Sequence, residues 1–221
     1  MKINIVYNIN NVYFLFGVMW MDTRKLRRQQ VAQRFVDCTC AIIEQEGMQQ
    51  LNIRKVAQMA GYHSSTVYLY FKDFPHLILQ AVLQFLDRYA RYMEQDKPDE
   101  EDALSCYLRC MTRFCEFSIA HPNIFSAVFV DSYGDISTEE VTGEISKSSL
   151  LTQNIEVLQQ MSVQLNIPPT AVKQLNDTVM ALCIGSILIL TRERTDCPPE
   201  QLVTQTMHGV RVLIDSYCRT K

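Results

Sequence analysis

The sequence predicts an all-α protein of about nine helices, a three-helix head followed by a larger helical body. Three observations carry that expectation. Apolar residues recur at helical spacing from Thr23 onward, and no credible strand pattern interrupts them. Gly and Pro, seven of each, are about 6% of the 221 residues, roughly half the usual ~12% share, and turn-rich all-β folds need more. An apolar fraction of 48% with 20% charged residues suits a packed domain and excludes a disordered chain.

The elements follow in order. Residues 1–21 carry one charge, Lys2, four Asn and no helical stripe. The segment is either an extension packed on the domain or a stretch preceding a true start at Met19 or Met21. Val31, Phe35, Cys38 and Ile42 form one apolar face of a first helix that Gly47 ends. Asn52 caps a short second helix with Val56, Ala57 and Ala60 inward and Gly61 as its stop. A third runs from about Ser64 to Phe71. Asp73 caps a longer fourth, with Pro75 tolerated in its first turn. Tyr107 to Ile119 marks a fifth, Ile124 to Val130 a short sixth and Leu150 to Met161 a seventh, with Asp131 to Gly143 left as loop. Two more span about 169–194 and 199–219. The expected domains are 1–21 as extension, 22–74 as head and 75–221 as body.

Charge divides along the same boundary. Residues 22–75 hold eight basic and five acidic groups, whereas 76–221 hold 12 and 19, so a head of +3 sits on a body of −7 although the whole chain is −3. That split suits a head that meets a polyanion. Eight cysteines fall below the ~8–10% of disulfide scaffolds, and none has C-x-x-C spacing, so reduced thiols in a cytoplasm are expected. The longest apolar run, Leu182 to Leu190, is too short to span a bilayer, and no membrane role is expected. No nucleophile elbow, H-E-x-x-H or Gly-rich phosphate loop appears, so neither an enzyme nor a resident cofactor or metal is expected.

The informative stretch is Asn52 to Phe71, NIRKVAQMAGYHSSTVYLYF. A short helix, a turn at Gly61 and a second helix opening on Ser-Ser-Thr make a helix-turn-helix. Val67 and Phe71 would hold the second helix to the head, leaving Ser64, Ser65, Tyr68 and Leu69 outward, where a major groove of double-stranded DNA can receive them. Arg54 stands two residues past its cap, within reach of a base edge or phosphate. The basic run Arg24, Lys25, Arg27 and Arg28 is either a solvated helix start or a set of phosphate contacts.

In these residues the chain resembles the TetR family of transcriptional repressors. The matching positions are Asn52, Val56, Ala57, Ala60, Gly61, Thr66, Val67, Tyr68, Tyr70 and Phe71. The resemblance implies base contacts from Arg54, Ser64 and Leu69, base or backbone contacts from Ser65, Thr66 and Tyr68, and a phosphate contact from Tyr70. Four positions depart from the family pattern. Asn52 replaces a Thr cap, Tyr62 and His63 replace Val-Ser (which moves the expected cap to Ser64), and Phe74 stands where the family places a phosphate-binding Lys, leaving that contact to Lys72.

For the body the resemblance implies a pocket for a small-molecule effector and a homodimer through the last two helices, presenting two heads to a palindromic operator. Candidate pocket residues are Phe85, Tyr89, Tyr107, Met111, Phe114, Phe117, Phe125 and Met180, whose character points to an apolar or aromatic effector. The eighth helix is apolar almost all round and needs partners on more than one side. The candidate interface is Leu182, Gly185, Ser186, Ile189, Val210, Leu213, Ile214 and Tyr217. The expected function is a ligand-released repressor. The alternatives are a helical ligand- or protein-binding module without DNA recognition, and a redox regulator acting through Cys106, Cys110 and Cys115, which buried, inert thiols would equally explain.

Overall fold

The structure is a computed structural model that describes residues 9–95 and 97–219, with backbone alone for 9–22. Residues 1–8 of the expected extension lie outside the described residues. Nine α-helices, two 3-10 helices and no strand occur among those described. The first helix, α1, spans Ile9–Glu46 rather than starting near Thr23. Growth from an established helix needs no new nucleus, so a segment without an apolar stripe can still be carried along helically.

The head closes on Phe35, which is fully buried. Val56, Ala57 and Ala60 of α2 (Ile53–Ala60) pack with it, as does Val67. Local chemistry sets each boundary. Asn52 Oδ1 accepts from the Lys55 amide at 3.0 Å, capping α2. At its other end Gly61 adopts φ +81°, and the Tyr62 amide donates to the Ala57 carbonyl at 2.9 Å, a left-handed stop that favours glycine. Lys55 pairs with Glu46, tying α2 to the end of α1.

The third helix is a 3-10 helix, Ser64–Leu69, and its cap is His63 rather than Ser64. His63 Nδ1 lies 3.4 Å from the Ser65 amide and 2.9 Å from Ser65 Oγ, so an imidazole nitrogen takes the accepting role of a serine oxygen.

In the body, α3 (Phe74–Glu94) starts at Asp73, whose Oδ1 accepts from the His76 amide at 2.9 Å. It packs on α1, on α4 (Ala103–Ala120), on α5 (Pro122–Phe129) and on α7 (Ser149–Gln164). The stretch 131–143, expected as loop, contains the start of α6 (Thr138–Ile145). Ser137 Oγ accepts from the Glu140 amide at 3.2 Å, and Glu139 and Glu140 sit at the positive end of the helix dipole. The Ser137-x-x-Glu140 spacing is the signal that its weak apolar pattern hides. The last pair, α8 (Pro169–Thr191) and α9 (Pro199–Arg219), lie against each other, and a Cβ at Gly209 would come within 3.2 Å of Leu182 Cδ2.

Candidate nucleic-acid interface and ligand cavity

A 3-10 helix has three residues per turn, so side chains at i and i+3 eclipse. That sorts the segment Ser64–Leu69 and the following Tyr70 into three rows. Ser64, Val67 and Tyr70 share the inward row, with Val67 fully buried and the other two half-buried. Ser65 and Tyr68 form a second row, both exposed, and Thr66 and Leu69 a third. Tyr68 is 57% and Leu69 67% exposed, too much for large side chains with a packing role alone. Arg54 and Lys72 are also exposed on this head. The α-helical period expected Ser64 outward; the tighter winding turns it partly in and brings Tyr70 onto Phe35, ring centroids 5.9 Å apart.

Arg28 acts as a fastener. Its Nη2 donates to the Leu69 carbonyl at 2.9 Å, and its guanidinium lies 5.8 Å from the Tyr70 ring centroid. The middle of α1 is thereby fixed to the end of the exposed segment, a positioning role that the basic run alone does not reveal. Phe74 is half-buried on the wall of a surface hollow with Met48, Leu51 and Ile78. An apolar ring packed there supplies no phosphate contact.

A cavity of about 330 Å³ lies in the body. Leu86 and Met93 of α3 line it, with Cys106, Tyr107, Cys110, Met111 and Phe114 of α4, Phe129 of α5, Ile145 of α6, Leu150, Leu151 and Val157 of α7, and Met180 of α8. Of the aromatic and soft residues expected to form a pocket, Tyr107, Met111, Phe114 and Met180 line this one. Phe85, Tyr89, Phe117 and Phe125 do not. They are packed in the core behind it, where Tyr89 meets Phe117 at 4.4 Å between centroids and lies 3.0 Å from Ser118 Oγ through its hydroxyl. Stripes at helical spacing mark both core and cavity wall, and spacing alone does not separate the two. Burial pushes the phenols of Tyr89 and Tyr107 well above their ordinary range, so both stay neutral donors.

The cavity mouth is acidic, with Glu94, Asp99, Glu101 and Glu156. Two cations near it have carboxylate partners. Lys97 Nζ is 3.4 Å from Glu94, and Arg109 pairs with Glu101 at 3.0 Å while donating to the Met93 carbonyl at 2.6 Å.

From the cavity, α6 leads back to the head. His76 in the first turn of α3 places Nε2 2.9 Å from Glu140 of α6 and Nδ1 2.6 Å from Asp73. Both carboxylates raise the His76 pKa, Asp73 more than Glu140.

No family model matches the chain. It is 24% identical over 99 residues to an HTH-type transcriptional regulator of Haemophilus influenzae, and 27% identical over 79 residues to the fatty acid metabolism regulator protein of Bacillus subtilis. These matches cover 45% and 36% of this chain, and the chain spans only about half the length of those relatives, 53% and 40%. Solved structures extend the likeness. A TetR-family transcriptional regulator from Streptomyces coelicolor superposes with a TM-score of 0.65 at 20% identity, covering 87% of this chain and 84% of that one. The chain has the TetR-family fold. Two further structures share that fold at 15% identity and a TM-score of 0.59 each. FadR from Bacillus subtilis, in complex with stearoyl-CoA, covers 82% of this chain and 97% of its own. BioQ, with its double-stranded DNA operator, covers 85% and 97%.

α8 has the length and mean hydropathy, 1.4 over 18 residues, of a membrane-crossing helix, a broader measure than the nine-residue run alone. Core helices pass the same test. Val172, Val179, Cys183 and Ile187 of α8 are buried against the rest of the body, yet only 28% of the apolar window is buried in the single subunit. Leu182, Gly185, Ser186, Leu213 and Tyr217 are half-buried, and Ile189 is 48% exposed. Val210 and Ile214 lie wholly inside the subunit, on the same α9 face as Thr206 and Met207, and offer nothing to a partner. Val212, on the opposite face, is 54% exposed.

Proposed function

We propose that the chain is a homodimeric, sequence-specific DNA-binding transcriptional repressor of the cytoplasm, released from its operator by a small apolar or aromatic effector. The observation that carries this reading is the exposed row of Ser65 and Tyr68 beside Leu69, held by a buried Val67 and by Arg28. Large side chains held outward on a fastened helix suit insertion into a major groove. Ser64, Ser65, Thr66, Tyr68, Leu69 and Arg54 contact bases or nearby backbone; Lys72 and Tyr70 contact phosphates. The DNA-bound neighbour BioQ supports this use of the fold.

The effector occupies the body cavity. Acyl-CoA, the ligand class of FadR, is a poor fit here. Its phosphates would meet the acidic lining residues Glu94, Asp99, Glu101 and Glu156, with Lys97 paired to Glu94. An uncharged ligand shaped to Tyr107, Met111, Phe114 and Met180 meets no such penalty. Occupancy displaces Ile145, and α6 carries the shift through Glu140 and His76 to the first turn of α3 beside the head. A ligand that prefers the displaced state by about 1.4 kcal/mol lowers operator affinity tenfold. The second copy packs on Leu182, Gly185, Ser186, Ile189, Val212, Leu213 and Tyr217, which would cover the apolar face that α8 leaves open.

Selection of bound sequences from a random duplex pool, then titration of the winner at two salt concentrations, tests the reading. A palindrome with nanomolar affinity and a log–log salt slope of about −7, from ~8 phosphate contacts, is expected. Micromolar, sequence-blind binding would overturn it in favour of a ligand- or protein-binding module. A redox regulator is disfavoured because burial raises the thiol pKa of Cys106 and pushes that of Cys110 up to about 12, leaving almost no thiolate at neutral pH.

A further inference from the structure

Cys106 and Cys110 stand one turn apart on α4, and both line the cavity. Residues at i and i+4 on a helix have Cβ atoms about 5–6 Å apart, so one atom can bond to both sulfurs. Arg109 Nη2 lies 3.7 Å from Cys106 Sγ and holds that side chain in place. The thioethers of Met93, Met111 and Met180 line the same cavity, which makes it unusually rich in soft, polarisable sulfur. Among the described residues no group of three His, Cys, Asp or Glu could close around a metal ion. The site therefore suits a soft centre that needs only two thiols and carries its own apolar substituent.

We propose that this pair captures a monosubstituted trivalent arsenical, R–As(OH)2, with R seated in the apolar cavity. Two S–H and two As–OH bonds break, two As–S bonds form, and the protons leave with the hydroxyls as two waters. Arsenic stays trivalent, so no oxidant or reductant is needed. The condensation starts from neutral thiols, the form in which burial holds them. R fills the third position on arsenic, which explains why two cysteines suffice. Cys115 of α4 and Cys183 of α8 are fully buried and do not line the cavity.

As an effector the arsenical rests on the repressor reading, but its capture does not. The full chain is incubated with phenylarsine oxide, which hydrates to the diol, and examined by intact mass and peptide mapping. One adduct per chain is expected, mapped to Cys106 and Cys110, reversed by excess small dithiol and lowered at least tenfold in Cys106→Ser or Cys110→Ser. Cys197→Ser should keep it. Unsubstituted arsenite, which lacks R and has no third thiol to meet, should bind at least tenfold more weakly. No adduct, an adduct mapped to other cysteines, or equal binding of arsenite would overturn the proposal. Mapping on the unmodified chain decides the matter even where a variant fails to fold. Operator titration separates the two readings. Capture with a tenfold loss of operator affinity supports both, and capture with unchanged affinity overturns the effector role. Absent capture with operator binding intact overturns the arsenical alone. Absent operator binding from the outset overturns the repressor reading and leaves the mass result standing.

Discussion

The head and the body are both helical, yet different forces specify them. In the head, boundaries are written locally. Asn52 caps α2, Gly61 turns it off at φ +81°, and His63 caps the next segment. Its candidate functional side chains, Tyr68 and Leu69, point to solvent and have little to do with stability. In the body, function and packing share residues. Tyr107 and Phe114 are each 1% exposed and yet line the cavity. A surface site can be altered without touching the fold, whereas a site inside the core cannot. On the proposed reading, the same contrast separates a head that presents side chains to DNA from a body that responds to a ligand.

The largest expected effect lies at the uncovered face of the body. Ile189→Asp puts a charge on the apolar surface of α8. In a twofold interface each substitution acts twice, so about 1.4 kcal/mol per copy raises the dimer dissociation constant about 100-fold. Sedimentation equilibrium measures this directly. A fully monomeric wild type would remove the proposed dimer altogether. Val210→Ala, inside the subunit, should lower the melting temperature instead, so the pair separates interface from core on one helix pair.

Next in size is a contrast within the head. Val67→Ala leaves a void beside Phe35 and should cost about 2 kcal/mol of stability, read from urea unfolding. Tyr68→Ala, one residue on, should leave unfolding unchanged and weaken operator binding roughly 10- to 100-fold. If both variants changed stability alike, the segment's rows would not be arranged as described.

How far the sequence reveals each region follows from the same distinction. The helix order, the Asn52 and Asp73 caps and the Gly61 stop are legible because one or two neighbouring residues decide them. The 3-10 winding of Ser64–Leu69 is not, since a run of six residues is too short for its apolar pattern to tell a period of three from one of 3.6. Ser64 is consequently turned further inward than an α-helix would place it. In the body, Phe85 and Met111 look alike in sequence, both apolar at helical spacing. Only the tertiary packing of α3, α4, α6, α7 and α8 makes one core and the other cavity wall. Val210 and Ile214 fail for the same reason: an apolar face on α9 does not reveal whether it meets its own subunit or another. Arg28 was hidden differently, because its partner is a backbone carbonyl 41 residues away.

A smaller effect comes from the α2 cap. Asn52→Ala should cost about 1 kcal/mol, and Asn52→Asp, which also caps well, should restore most of it. Thermal melting of the three proteins checks the order. Because α2 supports the exposed segment, operator affinity should fall alongside stability in the Ala variant, unlike in Tyr68→Ala, where the two part.

The smallest expected effect tests the joint between the two regions. His76 is held by Asp73 at the start of α3 and by Glu140 of α6, with Lys72 the other charge acting on it. Its pKa is raised above the ordinary 6.5, chiefly by Asp73 and then by Glu140. A raised pKa means that the folded state binds the proton more tightly. The contribution is therefore complete below about pH 6.5 and is lost as pH rises through the folded value. Asp73 has the opposite sign. Its pKa is lowered, so its contribution is present above the ordinary 3.8 and is lost as pH falls through the folded value. The joint is thus strongest in mildly acidic solution. Solvent screens these partly exposed groups, so the effect is modest. Melting temperature followed from about pH 5.5 to 9 should decline on the alkaline side in the wild type. Glu140→Gln should flatten that decline while leaving the Asp73 cap in place. Unchanged slopes would mean that α6 and α3 are not joined through His76, and the proposed route from cavity to head would lose its middle link.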